Sequence, residues 1–186
     1  WKVIVFQIIF TLAVIQKKYP GFRHNDLKAN NILVDVSPKP KTRRYYEYQY
    51  ENHTFQVPDI GIQIRLWDFD FSCIPGMINN QKVSAKWTNK INVKPEPNRY
   101  YDVHYFFCTL LGFLPDLEKI IPYEFQHFYS KVLPEKFRSE PYCLQKQRRL
   151  VKNSIKIGGF VYEYPNEYCY PEKLLEDDFF SEFFAK

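Results

Sequence analysis

Cysteine and histidine are both scarce in this sequence of 186 residues, which contains four of each. No two cysteines have the Cys-x-x-Cys spacing, and the histidines complete no zinc-binding pattern. We therefore predict free thiols in a reducing intracellular compartment, either the cytoplasm or the nucleus, and no secretion. The cysteines are Cys73, Cys108, Cys143 and Cys169.

The sequence also lacks a hydrophobic run long enough to cross a bilayer. The uncharged apolar stretch at residues 3–15 falls short of the roughly 20 residues that a transmembrane helix needs. It has neither the basic segment nor the small-residue cleavage site of a signal peptide. We expect instead a buried helix that stops near Lys18 and Pro20, and no membrane partner.

The net charge is +5, and several positive residues are grouped in one segment. An acidic or phosphate-bearing partner is one interpretation of this segment, and a solvated loop is the simpler one. Nucleic-acid binding is not predicted, because the sequence contains no nucleic-acid motif and its aromatic residues suit a core and a hairpin. The grouped cations are Lys82, Lys86, Lys90, Lys94 and Arg99, opposed only by Glu96.

Two short acidic motifs carry the main chemical signal. The first, at residues 24–31, reads His-Asn-Asp-Leu-Lys-Ala-Asn-Asn, and the second, at residues 68–70, reads Asp-Phe-Asp. Each adjoins an apolar segment typical of a strand, at residues 32–34 and 62–67. Phosphoryl transfer needs a base for the attacking hydroxyl, a cation for the phosphate and oxygen ligands for a divalent metal. The two motifs together predict phosphoryl transfer from ATP.

Each candidate residue has a role in this chemistry. Asp26 would accept or orient the proton of the attacking hydroxyl, and Lys28 would reach the transferred phosphate. Asn31 and Asp68 would supply oxygen ligands to Mg²⁺. The alternative interpretation is structural, with Asp26 and Asn31 capping turns and Asp68 ending a strand.

The pattern His-x-Asp-Leu-Lys-x-x-Asn followed by Asp-Phe resembles the catalytic and metal-binding loops of the eukaryotic protein kinase superfamily. The resemblance implies a serine/threonine kinase with ATP and Mg²⁺ as cofactors and a protein substrate, since Lys28 is the usual residue of that class. It implies that Asp26 and Lys28 are catalytic, that Asn31 and Asp68 bind metal, and that the nucleotide is bound by Lys28, Asn31, Leu33 and Asp68.

The resemblance also implies structural support for the two loops. His24 and Phe69 would pack against them. Asp102 opens an apolar helical stretch at residues 101–111 and would hydrogen-bond the catalytic-loop backbone. An ordinary helix N-cap is the alternative for Asp102.

The fold implied is the mainly α C-terminal lobe of a protein kinase over residues 1–186, a helical bundle with small β-hairpins that carry the catalytic and metal-binding loops. No glycine-rich loop and no Val-Ala-x-Lys strand precede Asp26. The N-terminal lobe is therefore expected as a partner within a longer parent chain, and this fragment alone is expected to be inactive.

Further helices are expected at residues 118–133, interrupted at Pro122, and at residues 142–156. Residues 171–180 resemble the ending of kinase domains.

The stretch between the two motifs is longer than in most protein kinases. Residues 35–61 are predicted to contain an extra β-hairpin, with strands at 43–50 and 54–58 around a turn. The pattern at residues 55–72 is similar to the haspin type of atypical kinase.

Three departures from the common kinase pattern concern regulation. Asn25 stands where many kinases have a phosphate-binding arginine, and Asp70 replaces a glycine. No Ala-Pro-Glu occurs at residues 71–101. These changes predict an active loop that is rigid and permanently arranged.

Two other functions remain open. A small-molecule phosphotransferase of the choline or aminoglycoside type shares the His-Asn-Asp and Asp-Phe pattern, although Lys28 and the hairpin argue against it. A pseudokinase that binds partners without turnover is the other, although Asp26, Asn31 and Asp68 are retained. The Tyr-, Asn- and Lys-rich composition suits a large DNA virus as the source.

Overall fold

A computed structural model describes residues 1–113, 117–135, 147–149, 154–157, 160–163 and 170–185. Helices and small antiparallel sheets are both present, so the described part is a mixed α/β structure. Its assignment as a mainly α kinase lobe stays a prediction.

The helices are α1 (Lys2–Lys18), α2 (Lys86–Lys90), α3 (Tyr101–Phe113), α4 (Leu117–Ile120), α5 (Tyr123–Val132) and α6 (Pro171–Leu174). The strands are β1 (Ile32–Val36), β2 (Tyr45–Tyr50), β3 (His53–Pro58), β4 (Ile62–Leu66), β5 (Ser154–Ile157) and β6 (Phe160–Glu163). Short 3₁₀ helices lie at Ala29–Asn31, Phe69–Phe71 and Asp178–Phe183.

Helix α1 is the predicted buried helix, and it ends where the sequence indicates. Phe6 and Leu12 are fully buried. Lys17 and Lys18 occupy the last turn, where positive charge offsets the negative end of the helix dipole. The helix ends at Lys18, two residues before Pro20, so the expected stop is confirmed. In the described helices, no segment is both long enough and apolar enough to cross a membrane.

A polar side chain in this apolar helix fixes the strand that leads to the second motif. Gln7 is buried, and its Nε2 donates a hydrogen bond to the carbonyl of Ile62 at 3.2 Å. Its Oε1 accepts a hydrogen bond from the backbone N–H of Ile64 at 2.9 Å. The amide thus satisfies two backbone groups of β4 and holds that strand against α1.

Strands β1 and β4 bring the two motifs together. They pair antiparallel, with Ile32 opposite Leu66 and Val36 opposite Ile62. The start of β1 therefore lies beside the end of β4, and the backbone N–H of Trp67 donates to the carbonyl of Asn31 at 2.9 Å. The first motif precedes β1 and the second follows β4, so this pairing makes them neighbours.

Strands β2 and β3 form a hairpin in which Tyr45 pairs with Pro58 and Tyr50 with His53. Glu51, in the turn, has a φ of 53°. The hairpin lies within residues 35–61, and its status as an insertion relative to other kinases stays a prediction.

An aromatic cluster joins the hairpin to α1 and to the last described segment. The ring of Phe6 lies 5.1 Å from that of Phe55, 5.5 Å from Phe180 and 5.3 Å from Phe183, measured between centroids. Such pairs each contribute about 0.5–1.5 kcal/mol beyond their buried area. The core is therefore built from parts of the chain that are far apart in sequence.

The region after α5 departs from the predicted helix at residues 142–156. Residues 154–157 form β5, which pairs antiparallel with β6. Their Ser-Ile-Lys-Ile pattern alternates and is β-branched, and Gly158-Gly159 follows in the sequence, which is a hairpin signal that the helical interpretation overlooked. Residues 142–146 and 150–153 lie outside the described part. The helix break at Pro122 is confirmed by the separation of α4 from α5.

Candidate active site

The loop at residues 24–31 is anchored by one buried carboxylate. Asp102, in the first turn of α3, has no exposed surface. Its two oxygens accept hydrogen bonds from the backbone N–H groups of His24, at 2.8 Å, and Asn25, at 2.9 Å. Burial raises the pKa of Asp102, against the opposing effect of His24 and of these hydrogen bonds. This is the contact that the kinase resemblance implies for Asp102.

Asn25 suits the conformation of the loop. Its φ of 66° lies in the left-handed region, which asparagine tolerates better than most residues. Its Nδ2 donates to the carbonyl of Phe71 at 3.0 Å, so the side chain links the catalytic loop to the segment after the second motif. Asn25 is fully buried.

The first motif brings three of the predicted site residues into contact. The Oδ2 atom of Asp26 accepts from Lys28 Nζ at 2.8 Å and from Asn31 Nδ2 at 3.0 Å. Asn31 Nδ2 also donates to the Asp26 carbonyl at 2.8 Å. Asp26 and Asn31 are buried, whereas the Lys28 side chain is 30% exposed. Lys28 is thus the member of this group that solvent reaches.

The other oxygen of Asp26 contacts an arginine that the sequence interpretation did not assign to the site. Arg149 Nη2 lies 2.6 Å from Asp26 Oδ1, and the Arg149 side chain is 4% exposed. The guanidinium stacks 4.4 Å above the ring centroid of Tyr105, on α3. Burial raises the pKa of Tyr105 to about 12, against the opposing effect of Arg149, and the nearby Asp26 carboxylate adds to the rise. No sequence signal marks this pair, because 123 positions separate Arg149 from Asp26.

The second motif follows β4 and is exposed. Asp68 has a φ of 58°, and its carboxylate accepts a hydrogen bond from the Asp70 backbone N–H at 3.4 Å. Phe69 packs on His24 with ring centroids 4.9 Å apart, and His24 Nε2 lies 3.0 Å from the carbonyl of Trp67. His24 is fully buried. These contacts fit the packing roles expected of His24 and Phe69.

The donor set around the two motifs fits Mg²⁺ better than a soft metal. Across the described ranges, no group of three or more His, Cys, Asp or Glu residues could hold a metal ion. The Asp68 carboxylate and the Asn31 side-chain oxygen are hard donors of the type that Mg²⁺ uses together with phosphate oxygens and water. The β1–β4 pairing brings their backbones close together.

The segment after Asp68 is held by side chains of its own. Lys82 Nζ lies 2.7 Å from Asp70 Oδ2. Asn80 Nδ2 donates to the carbonyls of Asp70, at 2.8 Å, and Ser72, at 3.1 Å. Asp70 thus pairs with Lys82 at the surface, and Asn80 bonds the backbone of the same segment.

Two of the grouped cations at residues 82–99 form ion pairs within the protein. Lys82 is paired with Asp70, and Arg99 is paired with Glu172 and lies 4.9 Å from the ring centroid of Tyr170. Internal pairs therefore use part of the charge that could have attracted an acidic partner.

An open cleft of about 360 Å³ lies beside Lys28. Its lining residues come from the catalytic loop, from α3 and from the described turn at residues 147–149. They are Lys28, Asn30, Tyr105, Thr109, Gln147 and Arg148.

Comparisons with known proteins agree on one family. The sequence model of the poxvirus serine/threonine protein kinase family matches residues 1–156. The candidate serine/threonine-protein kinase R400 of Acanthamoeba polyphaga mimivirus is 46% identical over an alignment of 156 residues that covers 81% of this chain and 33% of the relative. A second candidate serine/threonine-protein kinase of that virus, R301, is 41% identical over 102 residues, or 54% of this chain and 26% of the relative.

Serine/threonine-protein kinase 2 of swinepox virus (strain Kasza) is 39% identical over 98 residues, or 53% of this chain and 19% of the relative. The chain thus spans about a third or less of the length of these relatives. No solved structure matches it.

Proposed function

Because this chain belongs to the poxvirus serine/threonine protein kinase family, we propose that it forms the catalytic C-terminal lobe of an enzyme that transfers the γ-phosphate of ATP to a serine or threonine of a protein. Relatives named as serine/threonine-protein kinases support this function. The likeness of residues 55–72 to the haspin type is part of the same proposal.

The observation that carries the proposal is the cluster around Asp26. Lys28 and Asn31 contact its carboxylate, and Asp102 holds the loop from which all three project. A loop fixed in this way keeps a general base in one position, which lowers the cost of orienting the attacking hydroxyl. The cleft beside Lys28 would give the acceptor a route to the loop.

The residues have distinct roles in the proposed reaction. Asn31 and Asp68 would hold Mg²⁺, and Lys28 would contact the transferred phosphate. Bound Mg²⁺ and ATP supply the phosphoryl group and offset the charge that develops on it. Asp26 would then orient the acceptor hydroxyl and take its proton at a carboxylate oxygen. Lys28 is exposed enough to exchange its contact with Asp26 for one with phosphate.

An N-terminal lobe of the same parent chain is the proposed partner above this site. Several large apolar side chains are exposed on β1 and around the second motif, where such a lobe would cover them. Leu33, 41% exposed, would then contact the nucleotide between the lobes. The other exposed side chains are Val34, Val36, Trp67 and Phe69.

A reducing intracellular location remains part of the proposal. Cys73 is buried and free, and Cys108 is buried, which suits that setting. Cys143 and Cys169 lie outside the described residues.

Transfer of labelled phosphate from ATP with Mg²⁺ tests the function. The full-length protein that contains this chain would be offered a protein panel and a panel of small alcohols, beside its Asp26→Asn variant. We expect label in serine or threonine of protein, and loss of that label in the variant. Label in a small alcohol alone would favour a small-molecule phosphotransferase. Nucleotide binding without any transfer would favour a pseudokinase.

A further inference from the structure

Resting on the kinase function proposed above, we propose that Arg149 is a positioning residue that fixes the carboxylate of Asp26 for proton transfer. It lies 123 positions from Asp26 in the sequence, yet among the described residues it makes the shortest contact to that carboxylate, 2.6 Å from Nη2 to Oδ1. The residue lies inside the stretch that the family model matches.

The two cations on Asp26 differ in burial. Lys28 is 30% exposed in its side chain, and Arg149 is 4% exposed. Lys28 can therefore turn toward a phosphate while Arg149 remains in place. When Lys28 leaves, Arg149 is the cation that still balances the buried carboxylate.

The hydrogen bonds that the Asp26 carboxylate accepts indicate which contact must break before an acceptor hydroxyl can bind to Oδ2. A carboxylate offers about four acceptor positions. Lys28 and Asn31 use positions on Oδ2, and Arg149 uses one on Oδ1. An acceptor hydroxyl gains a position on Oδ2 when Lys28 moves to the phosphate. Arg149 then holds Oδ1, so that the carboxylate does not rotate as that position opens.

The surroundings of Arg149 require a guanidinium rather than an ammonium. Nη1 contacts Gln147 Oε1 at 2.8 Å, Nε lies 3.5 Å from the carbonyl of Asn25, and the plane stacks on Tyr105. A lysine would keep the charge but lose the stacking and the fixed fork of donors. Charge alone is therefore not expected to replace Arg149.

The test uses the full-length protein with Arg149→Lys, Arg149→Ala and the control Arg65→Met. Arg65 also pairs with a carboxylate, that of Asp35 at 2.7 Å, but its side chain is 70% exposed and lies outside the site. We measure kcat and KM for phosphate transfer, nucleotide affinity, thermal unfolding, and the recovery of Arg149→Ala by added guanidinium ion.

We expect kcat to fall about 100-fold in both Arg149 variants, the loss typical of a misplaced catalytic group. KM for ATP and the nucleotide affinity should change less than about threefold, and guanidinium should restore part of kcat in Arg149→Ala alone. The Arg65→Met control should keep its kcat.

Full kcat in Arg149→Lys would overturn the proposed role, as would a loss in Arg149→Ala that guanidinium does not relieve in a folded, nucleotide-binding protein. If the wild-type protein binds ATP but transfers no phosphate, the kinase function itself fails, and the positioning role fails with it.

Discussion

Replacing Asp102 with alanine tests how strongly one carboxylate holds the catalytic loop. The change leaves the backbone N–H groups of His24 and Asn25 without their acceptors in a site with no solvent access. Each buried donor left unsatisfied costs about 1–3 kcal/mol, and removing a buried charge returns part of that loss. We expect a net fall of about 2–4 kcal/mol in the free energy of unfolding, measured by urea titration.

The matched control is Asp35→Ala. Asp35 also pairs with a partner, Arg65, but both side chains are more than half exposed. Such a pair contributes at most about 1 kcal/mol. If Asp102→Ala cost no more than Asp35→Ala, the conclusion that Asp102 anchors the loop would be wrong.

Three further predictions concern the surroundings of the site. Asn80→Ala should speed proteolysis of the loop that begins at Asp70, because it removes a hydrogen bond to the Asp70 carbonyl; an unchanged cleavage rate would contradict this role. Because the pKa of Asp102 is raised, the native state binds more protons than the unfolded chain. The contribution of Asp102 to stability should therefore be full below the ordinary carboxyl pKa of 3.8 and decline as pH rises through the raised pKa. In Asp102→Asn, the free energy of unfolding measured by urea titration should no longer show this decline with pH. An unchanged dependence on pH would contradict the prediction. Cys73, whose pKa burial raises, and Cys108 should react with thiol reagents only after unfolding; rapid labelling of the native protein would refute their burial.

The rigid loop expected from Asn25 and Asp70 also has a direct test. Asn25 donates to the carbonyl of Phe71, and the Asp70 side chain pairs with Lys82, so both departures from the kinase pattern make contacts that would hold the loop. We expect treatment of the full-length protein with a phosphatase to leave its activity unchanged. A large loss on dephosphorylation would show that the loop needs a phosphate after all.

Local patterns were enough to predict several elements. Helix α1 follows from an uncharged apolar run with lysines and proline at its end, and the β2–β3 hairpin follows from alternation around a turn. The contact between Asp102 and the catalytic loop was predictable because the kinase resemblance placed Asp102 at the start of an apolar helix. In these cases the information lies within a dozen residues or in a recognised motif.

Contacts between distant residues were not predictable in the same way. Arg149 lies in a basic stretch that is predicted only to be a helix, and Tyr105 lies in a stretch that suggests only a core helix. Their meeting at Asp26 depends on how the chain folds back, which periodicity does not encode. The prediction of a helix at residues 142–156 failed at β5 for another reason. The Gly-Gly pair after β5 is a local turn signal, and it favours a hairpin over a helix.

The aromatic cluster around Phe6 has a consequence for biosynthesis. Phe6 is among the first residues described, whereas Phe180 and Phe183, which complete its surroundings, are among the last. At translation rates of about 5–20 residues per second, roughly 9–35 s pass between synthesis of Phe6 and of these phenylalanines. During that interval the apolar face of α1 lacks its contacts with Phe180 and Phe183, so the nascent chain exposes that surface. Its final collapse is expected only after residues 178–183 leave the ribosome.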